Sequence, residues 1–397
     1  MADALIALPL RTPVGRYLGA LADVPAEKLA ETVLRALVER SGVDPERIED
    51  VIFAQAYPNG EAPAIGRWAA LAADLPLSVP GMQIDRRCGG GLTAIGLAAA
   101  MVQAGQADIV IAGGAESMSN AEHYTLGLRK GVKAGSPVLH DRLLRGRERS
   151  QPEARFGRIS GMIETAENVG RDADISRADA DAYALTSHER AAAAWARGAF
   201  ADELVPVTVE GRKGSVTVDR DEGVRGDVTA ESLAALRPIM KDGTVTAGNA
   251  SQQNDAAAAC IVVSEAGAKA LKVDPVARLV GFAAAGCHPA TMGLGPVPAV
   301  EKLFARTGKG WADIDLVELN EAFATQVLGV LKGWGWHDPE RLNVNGSGIS
   351  LGHPIAATGG RILASMMAEL KRRDGRYALE TMCIGGGQGC AALFERV

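Results

Sequence analysis

Short apolar runs alternate along the chain with longer stretches whose apolar positions follow helical spacing. VIFAQA at Val51–Ala56 predicts a strand, and the pattern across residues 62–74 predicts a helix. The approach GMQID leads into a Gly-rich bend and a helix over Leu92–Ala104. An apolar run at Asp108–Ala112, ending in GGAES, closes this set. A second set repeats the order. LVEL at Leu316–Leu319 reads as a strand, a helix begins near Glu321, and RLNVN reads as a further strand. GSGISLGHP then precedes a helix over residues 357–373, and Ala378–Ile384 runs into GGGQG. Strands alternating with long helices predict α/β architecture, and the shared order predicts two similar halves that arose by duplication.

Between the sets the texture changes. Residues 120–245 carry a basic stretch (Arg142–Arg149), a polar helical pattern (Arg177–Ala196) and a strand-rich tract (Val205–Val218). This is too long for a connection within a compact layer, and it reads as a loop domain inserted over a site, or as an independent third domain. VTAGNASQQNDAAAACIVVS then returns to the first half. With a link at Ala268–Asp274, the expected division is 1–270, containing the insertion, and 271–397.

Composition narrows the function. Of the 397 residues, 42 are Lys or Arg and 48 are Asp or Glu, a net charge of −6, without a basic stripe suited to nucleic acid. Five widely spread cysteines do not suggest a disulfide framework and fit reduced thiols. No close Cys or His pair has the spacing of a zinc site, so no metal is expected. Neither a secretory leader nor an apolar run long enough to span a membrane is visible, so the expected location is the cytoplasm. Glycine, at 47 residues, exceeds its usual share of about 7%.

Much of that glycine surrounds three residues. Cys88, in RRCGGG, stands at a strand–helix junction, where unpaired N–H groups, the helix dipole, Arg86 and Arg87 are expected to favour a thiolate. His353 sits in a Gly-rich bend before Pro354 and can act as base or acid. Cys383 ends a strand at a glycine run able to present N–H groups to an oxyanion. Asn320 and Glu321 follow the LVEL strand. Each also has a plainer reading: Cys88 and Cys383 as buried small apolar residues, Asn320–Glu321 as a helix cap, His353 as a turn residue touching solvent.

The order of the motifs resolves these alternatives. RTPVGRY near the start, the Cys88 turn, GGAESMS at Gly113–Ser119, TAENV at Thr165–Val169 and GNAS at Gly248–Ser251 are followed by GLGPVPA at Gly293–Ala299. NEAF at Asn320–Phe323, the His353 turn and CIGGGQG from Cys383 complete the series. Nearly end to end, the chain resembles the thiolases, the acetyl-CoA C-acyltransferases. That resemblance implies a duplicated five-layer α/β/α/β/α fold with an inserted loop domain. It also implies coenzyme A chemistry of the fatty-acid degradation type, with acyl-CoA as substrate, no permanently bound cofactor and a homodimeric or homotetrameric assembly, for which Glu122–Gly135 is of interest.

The resemblance further implies roles. Cys88 would carry the acyl group, His353 would take its proton, and Cys383 would exchange the α-proton of the acetyl partner. Asn320 with His353, and the N–H groups of Cys88 and Gly385, would form two oxyanion sites. Ser251, Ala247, Arg212, Met292 and Phe323 match coenzyme A contacts, although Arg212 can equally be a solvated loop charge and Lys213 competes for its place. The chain departs from the usual pattern at Gly90, Ala356, Thr358, Gly161, Gln252 and Gln253, which bears on acyl-chain specificity. A ketosynthase-type condensing enzyme and a non-catalytic acyl-CoA or lipid binder are the alternatives. The first fits poorly with CIGGGQG, and the second with the survival of all three catalytic motifs.

Overall fold

The computed structural model describes residues 3–212 and 214–397. Its strands are β1 (Leu5–Arg11), β2 (Asp50–Ala54), β3 (Met82–Ile84), β4 (Ile109–Ser117), β5 (Asn254–Val263), β6 (Pro275–Gly286), β7 (Leu316–Leu319), β8 (Tyr377–Ile384) and β9 (Gln388–Arg396). They lie in the order β7-β8-β9-β6-β1-β5-β4-β2-β3, with the short Gly15–Arg16 segment added to β5. In one half β3, β2 and β4 are parallel, and β5 and β1 follow antiparallel. The other half repeats this pattern: Leu342 bridges Val317 in parallel, β7 is parallel to β8, and β9 and β6 follow antiparallel. The repeat visible in the sequence is therefore a repeat of topology.

The helices are α1 (Ala26–Ser41), α2 (Ile65–Ala72), α3 (Gly90–Gln103), α4 (Arg142–Glu148), α5 (Met162–Asp172), α6 (Arg177–Ala196), α7 (Pro296–Thr307), α8 (Ala324–Trp334) and α9 (Thr358–Arg372). Successive strand residues face opposite sides, which separates the core into layers. Val51 and Phe53 pack under α1 and α2, while Ile52 packs against α3. Val317 and Leu319 pack under α7 and α8, while Leu316 faces α9. Helices α3 and α9 share one core, with Ile95 and Ala98 beside Met366 and Leu370. The result is helix, sheet, central helices, sheet, helix, the expected five layers.

Glycine makes the central layer fit. A Cβ on Gly359 of α9 would stand 2.3 Å from the Leu92 nitrogen of α3, closer than any side chain tolerates. The strand expected to stop at Ala112 instead runs on through GGAES to Ser117, paired along its length with β5. Its glycines serve close approach, because a Cβ on Gly114 would lie 2.1 Å from the carbonyl oxygen of Ala356. Overpacking of this kind costs about 1–3 kcal/mol. Gly114→Ala should therefore lower the thermal midpoint by several degrees, and an unchanged midpoint would mean that the turn holding Ala356 yields freely.

Other expectations shift by a few residues. RLNVN forms only isolated bridges at Leu342 and Val344. The helix expected near Glu321 begins at Ala324, because Phe323 is held as a strand-like bridge to Ala250. The strand-rich tract condenses to a hairpin, Val207–Gly211 with Gly214–Val218. Residues 120–245 are fastened to both halves. Buried Arg11 donates to Glu203 at 2.6 Å and to Asp221 at 2.6 and 2.9 Å, and Ser187 of α6 donates to Glu321 at 2.6 Å.

Candidate active site

Cys88 occupies a tight turn between β3 and α3. The Asp85 carboxylate accepts the Arg87 N–H at 2.7 Å and holds Arg87 at φ +47°. Gly89 lets this turn sit on the second half, since a Cβ there would come within 2.5 Å of Ile384 Cδ1. The Gly385 and Cys88 backbone N–H groups act on the Cys88 sulfur in the direction that favours its thiolate. Burial nevertheless pushes the half-buried thiol up, with these donors and Arg87 pulling only partly against it. The expectation of a thiolate favoured by the helix end is corrected here: desolvation outweighs the dipole, and the resting sulfur is a thiol that needs a base.

A neutral imidazole lies at the neighbouring turn, which packs against the turn of Cys88. The His353 backbone N–H donates to Asn254 Oδ1 at 2.8 Å, and Gly352 adopts φ +108°. Thr358 Oγ1 is 2.6 Å from His353 Nδ1. Burial, with Arg361 and Arg147, holds the ring down to about 3. An Nδ1–H donated to Thr358 leaves Nε2 with a free lone pair. Asn320 Nδ2 stands 3.4 Å from Nδ1, and its Oδ1 is buried without a partner among the described residues.

Cys383 is fully buried at the end of β8, opposite Gly389. Gly386 and Gly387 turn the chain at φ +89° and +87°, a conformation that favours glycine, and so bring the Gly385 N–H to Cys88. Burial raises the Cys383 thiol well above its ordinary range, and the neighbouring Cys88 thiol adds to the rise. Both halves therefore contribute a cysteine to one place.

Four of the five residues matched to coenzyme A contacts also gather there. Met292 and Phe323 pack with Cys383, beside Met162 and Ala250. The Ser251 N–H donates to the Ala322 carbonyl at 2.9 Å, next to Phe323, and Ala247 lies exposed two residues after buried Val245 of the same cluster. Arg212 stands apart, exposed in the turn of the Val207–Val218 hairpin, and Lys213 lies outside the described residues.

Asn254 and Glu116 support the site although no sequence motif singled them out, and Thr358 and Glu321 support it in ways their motifs did not indicate. Thr358, expected only as a departure bearing on acyl-chain specificity, sets its hydroxyl against the His353 ring. Asn254 fixes the His353 backbone. Buried Glu116 accepts the N–H groups of Ala56 at 2.9 Å and Tyr57 at 3.1 Å, and burial raises it to about 7. Glu321 accepts from Ser187 at 2.6 Å, Tyr183 at 2.9 Å, and Asn343 and Ile349, each at 3.2 Å. The available signal was a single acidic residue inside an otherwise apolar or Gly-rich motif, as in GGAES and NEAF.

Known proteins resemble this chain along its whole length. The family model described as thiolase, N-terminal domain, matches residues 4–266, and that described as thiolase, C-terminal domain, matches 273–396. Acetyl-CoA acetyltransferase of Chromobacterium violaceum is 44% identical, covering 99% of this chain and 100% of its own. The 3-oxoadipyl-CoA/3-oxo-5,6-dehydrosuberyl-CoA thiolase of Escherichia coli is 45% identical, covering both chains in full. The crystal structure of Bacillus anthracis acetyl-CoA acetyltransferase superposes with a TM-score of 0.95 at 40% identity, covering 100% of this chain and 99% of that one. With both family domains matched and relatives similar throughout, the chain belongs to the thiolase family and is an acyltransferase acting on coenzyme A thioesters.

Proposed function

We propose that acyl transfer runs through a thioester on Cys88. In the cleavage direction the Cys88 proton passes to His353 Nε2, and the sulfur attacks the 3-oxo carbon of a 3-oxoacyl-CoA. The C2–C3 bond then breaks, its electron pair leaves as the acetyl-CoA enolate, and the Cys383 thiol protonates that carbon. Free coenzyme A next attacks acyl-Cys88, releasing a shortened acyl-CoA. Condensation is the same path reversed. Covalent catalysis of this kind divides one difficult step into two. The Cys88 and Gly385 N–H groups serve the oxyanion on the Cys88-bound carbon, while Asn320, through a water, and His353 serve that of the acetyl thioester.

The observation that supports this reading most is the seating of the Cys88 turn on the second half, where a Cβ at Gly89 would stand 2.5 Å from Ile384 Cδ1, next to Cys383, and 2.8 Å from the Cys390 sulfur. Pantetheine fits along Ser251, Ala247, Met292 and Phe323, and we assign Arg212 to the nucleotide end. The division into 1–270, with its insertion at about 120–245, and 271–397 is our reading of the halves. We also infer a homodimer or homotetramer working in the cytoplasm. Leu126, Leu128, Val132, Val138 and Leu139 are exposed, and a second copy of the chain would cover them. No helix among the described residues is long and apolar enough to cross a membrane.

Acetoacetyl-CoA supplied with free coenzyme A should be consumed, and acid quenching should trap acetyl on a Cys88-containing peptide. Consumption with no label on Cys88 would reject the covalent route, and no consumption of any 3-oxoacyl-CoA would reject the activity.

A further inference from the structure

The transfer chemistry leaves the basic stretch from Arg142 onward unexplained. Most of its arginines have local partners. Arg142 pairs with Glu122 at 2.8 Å, Arg145 lies 3.4 Å from His140 Nδ1, Arg155 covers the Phe156 ring at 4.9 Å, and Arg158 reaches Glu148 at 3.7 Å. Arg147 is different. It is half-buried, one helical turn after Leu143 on the same helix face, and its charge bears on the hydroxyl of buried Tyr57 and on His353. It forms no ion pair among the described residues.

The surroundings define a place for the far end of an acyl group. Tyr57 packs with Leu143, Met118, Ile355 and Ala356 in an apolar cluster that also touches Cys88. Arg87 lies over the Tyr57 ring at 5.6 Å and donates to the Ala56 carbonyl at 3.1 Å. Gly161 borders Arg147, since a Cβ there would stand 3.7 Å from Arg147 Cβ, in ordinary contact. A group attached to the Cys88 sulfur and lying on this cluster is covered by apolar side chains and meets a guanidinium. A hydrocarbon end would strip water from that cation and give nothing back. A carboxylate would supply a charge-assisted, bidentate partner.

We propose that Arg147, with the Tyr57 hydroxyl, receives a terminal carboxylate, so that the enzyme's preferred substrates are 3-oxoacyl-CoAs derived from dicarboxylic acids. This rests on the transfer reading above, with the acyl group carried by Cys88.

The test compares kcat/KM for thiolysis of two six-carbon 3-oxoacyl-CoAs, one ending in a carboxylate and one in a methyl group. Wild-type enzyme should favour the carboxylate about tenfold or more, and Arg147→Gln should lower that ratio by about 10- to 100-fold. Arg147→Lys should restore part of it, because a point charge replaces the planar fork. A wild-type ratio of one or less overturns the proposal, and that measurement decides if neither variant folds. Equal losses on both substrates also overturn it, and assign Arg147 to the field around His353. Failure of the wild type to cleave even acetoacetyl-CoA overturns the transfer reading as well, and so is separable from a failure of specificity.

Discussion

Cys383→Ala enzyme incubated with acetyl-CoA should still carry acetyl on Cys88, while thiolysis of acetoacetyl-CoA falls by about 10²- to 10⁴-fold, the usual worth of a positioned proton donor or base. The expectation follows from the division of labour between two thiols. Cys88 has His353 and the Gly385 N–H beside it, so its acylation requires nothing from Cys383. The enolate has no other thiol assigned to it. Mass spectrometry of the quenched protein reads the first step, and loss of absorbance from the 3-oxo thioester reads the second. If acylation and thiolysis fell together, Cys383 would be shaping the nucleophile's turn; full thiolysis would remove it from the proton path.

The second large effect is structural. Glu321→Ala would leave the Tyr183 and Ser187 hydroxyls, the Asn343 amide and the Ile349 N–H without their acceptor in a buried site. Each orphaned donor costs about 1–3 kcal/mol. Allowing for partial relaxation, the sum should be on the order of 4 kcal/mol, a large share of a typical domain's stability. Because Asn320 precedes it directly, kcat should fall too. Glu321→Gln keeps an acceptor oxygen and should lose distinctly less. Denaturant midpoints for the two variants check the order, and alanine and glutamine variants of equal stability would show that the carboxylate is not the anchor.

Legibility in the sequence followed how local each cause is. Leu316–Leu319 and Arg177–Ala196 appear with the bounds expected of them, because a buried apolar run and a Ser176–Asp179 capping box are written into adjacent residues. GGAES looked like the end of a strand, because the reason its glycines extend β4 is the approach of the Ala356 turn, some 240 residues away in the chain. RLNVN failed for the opposite reason: its apolar pattern is right, but only single bridges form beside β7. At the site, the turns of Cys88, His353 and Cys383 were legible from their glycines. The protonation of Cys88 was not, since burial is a property of the assembled fold. Arg147 could be read only as one charge in a basic stretch, and its neighbours Tyr57 and Gly161 come from elsewhere in the chain.

The pairing of β1 with β6, Leu5 opposite Arg278 and Ile6 opposite Ala277, has a mechanical consequence. The seam between the halves is itself a hydrogen-bonded ladder, so the halves cannot swing apart as two jaws without breaking main-chain bonds. Cys88 and Cys383, one from each side of that seam, are thus held at fixed separation throughout turnover. Entry and exit of a long thioester then fall to segments outside this ladder and not to a hinge between the halves. Diversification of substrate can then proceed in those segments, with Arg147 as our proposed case, while the two thiols keep their spacing.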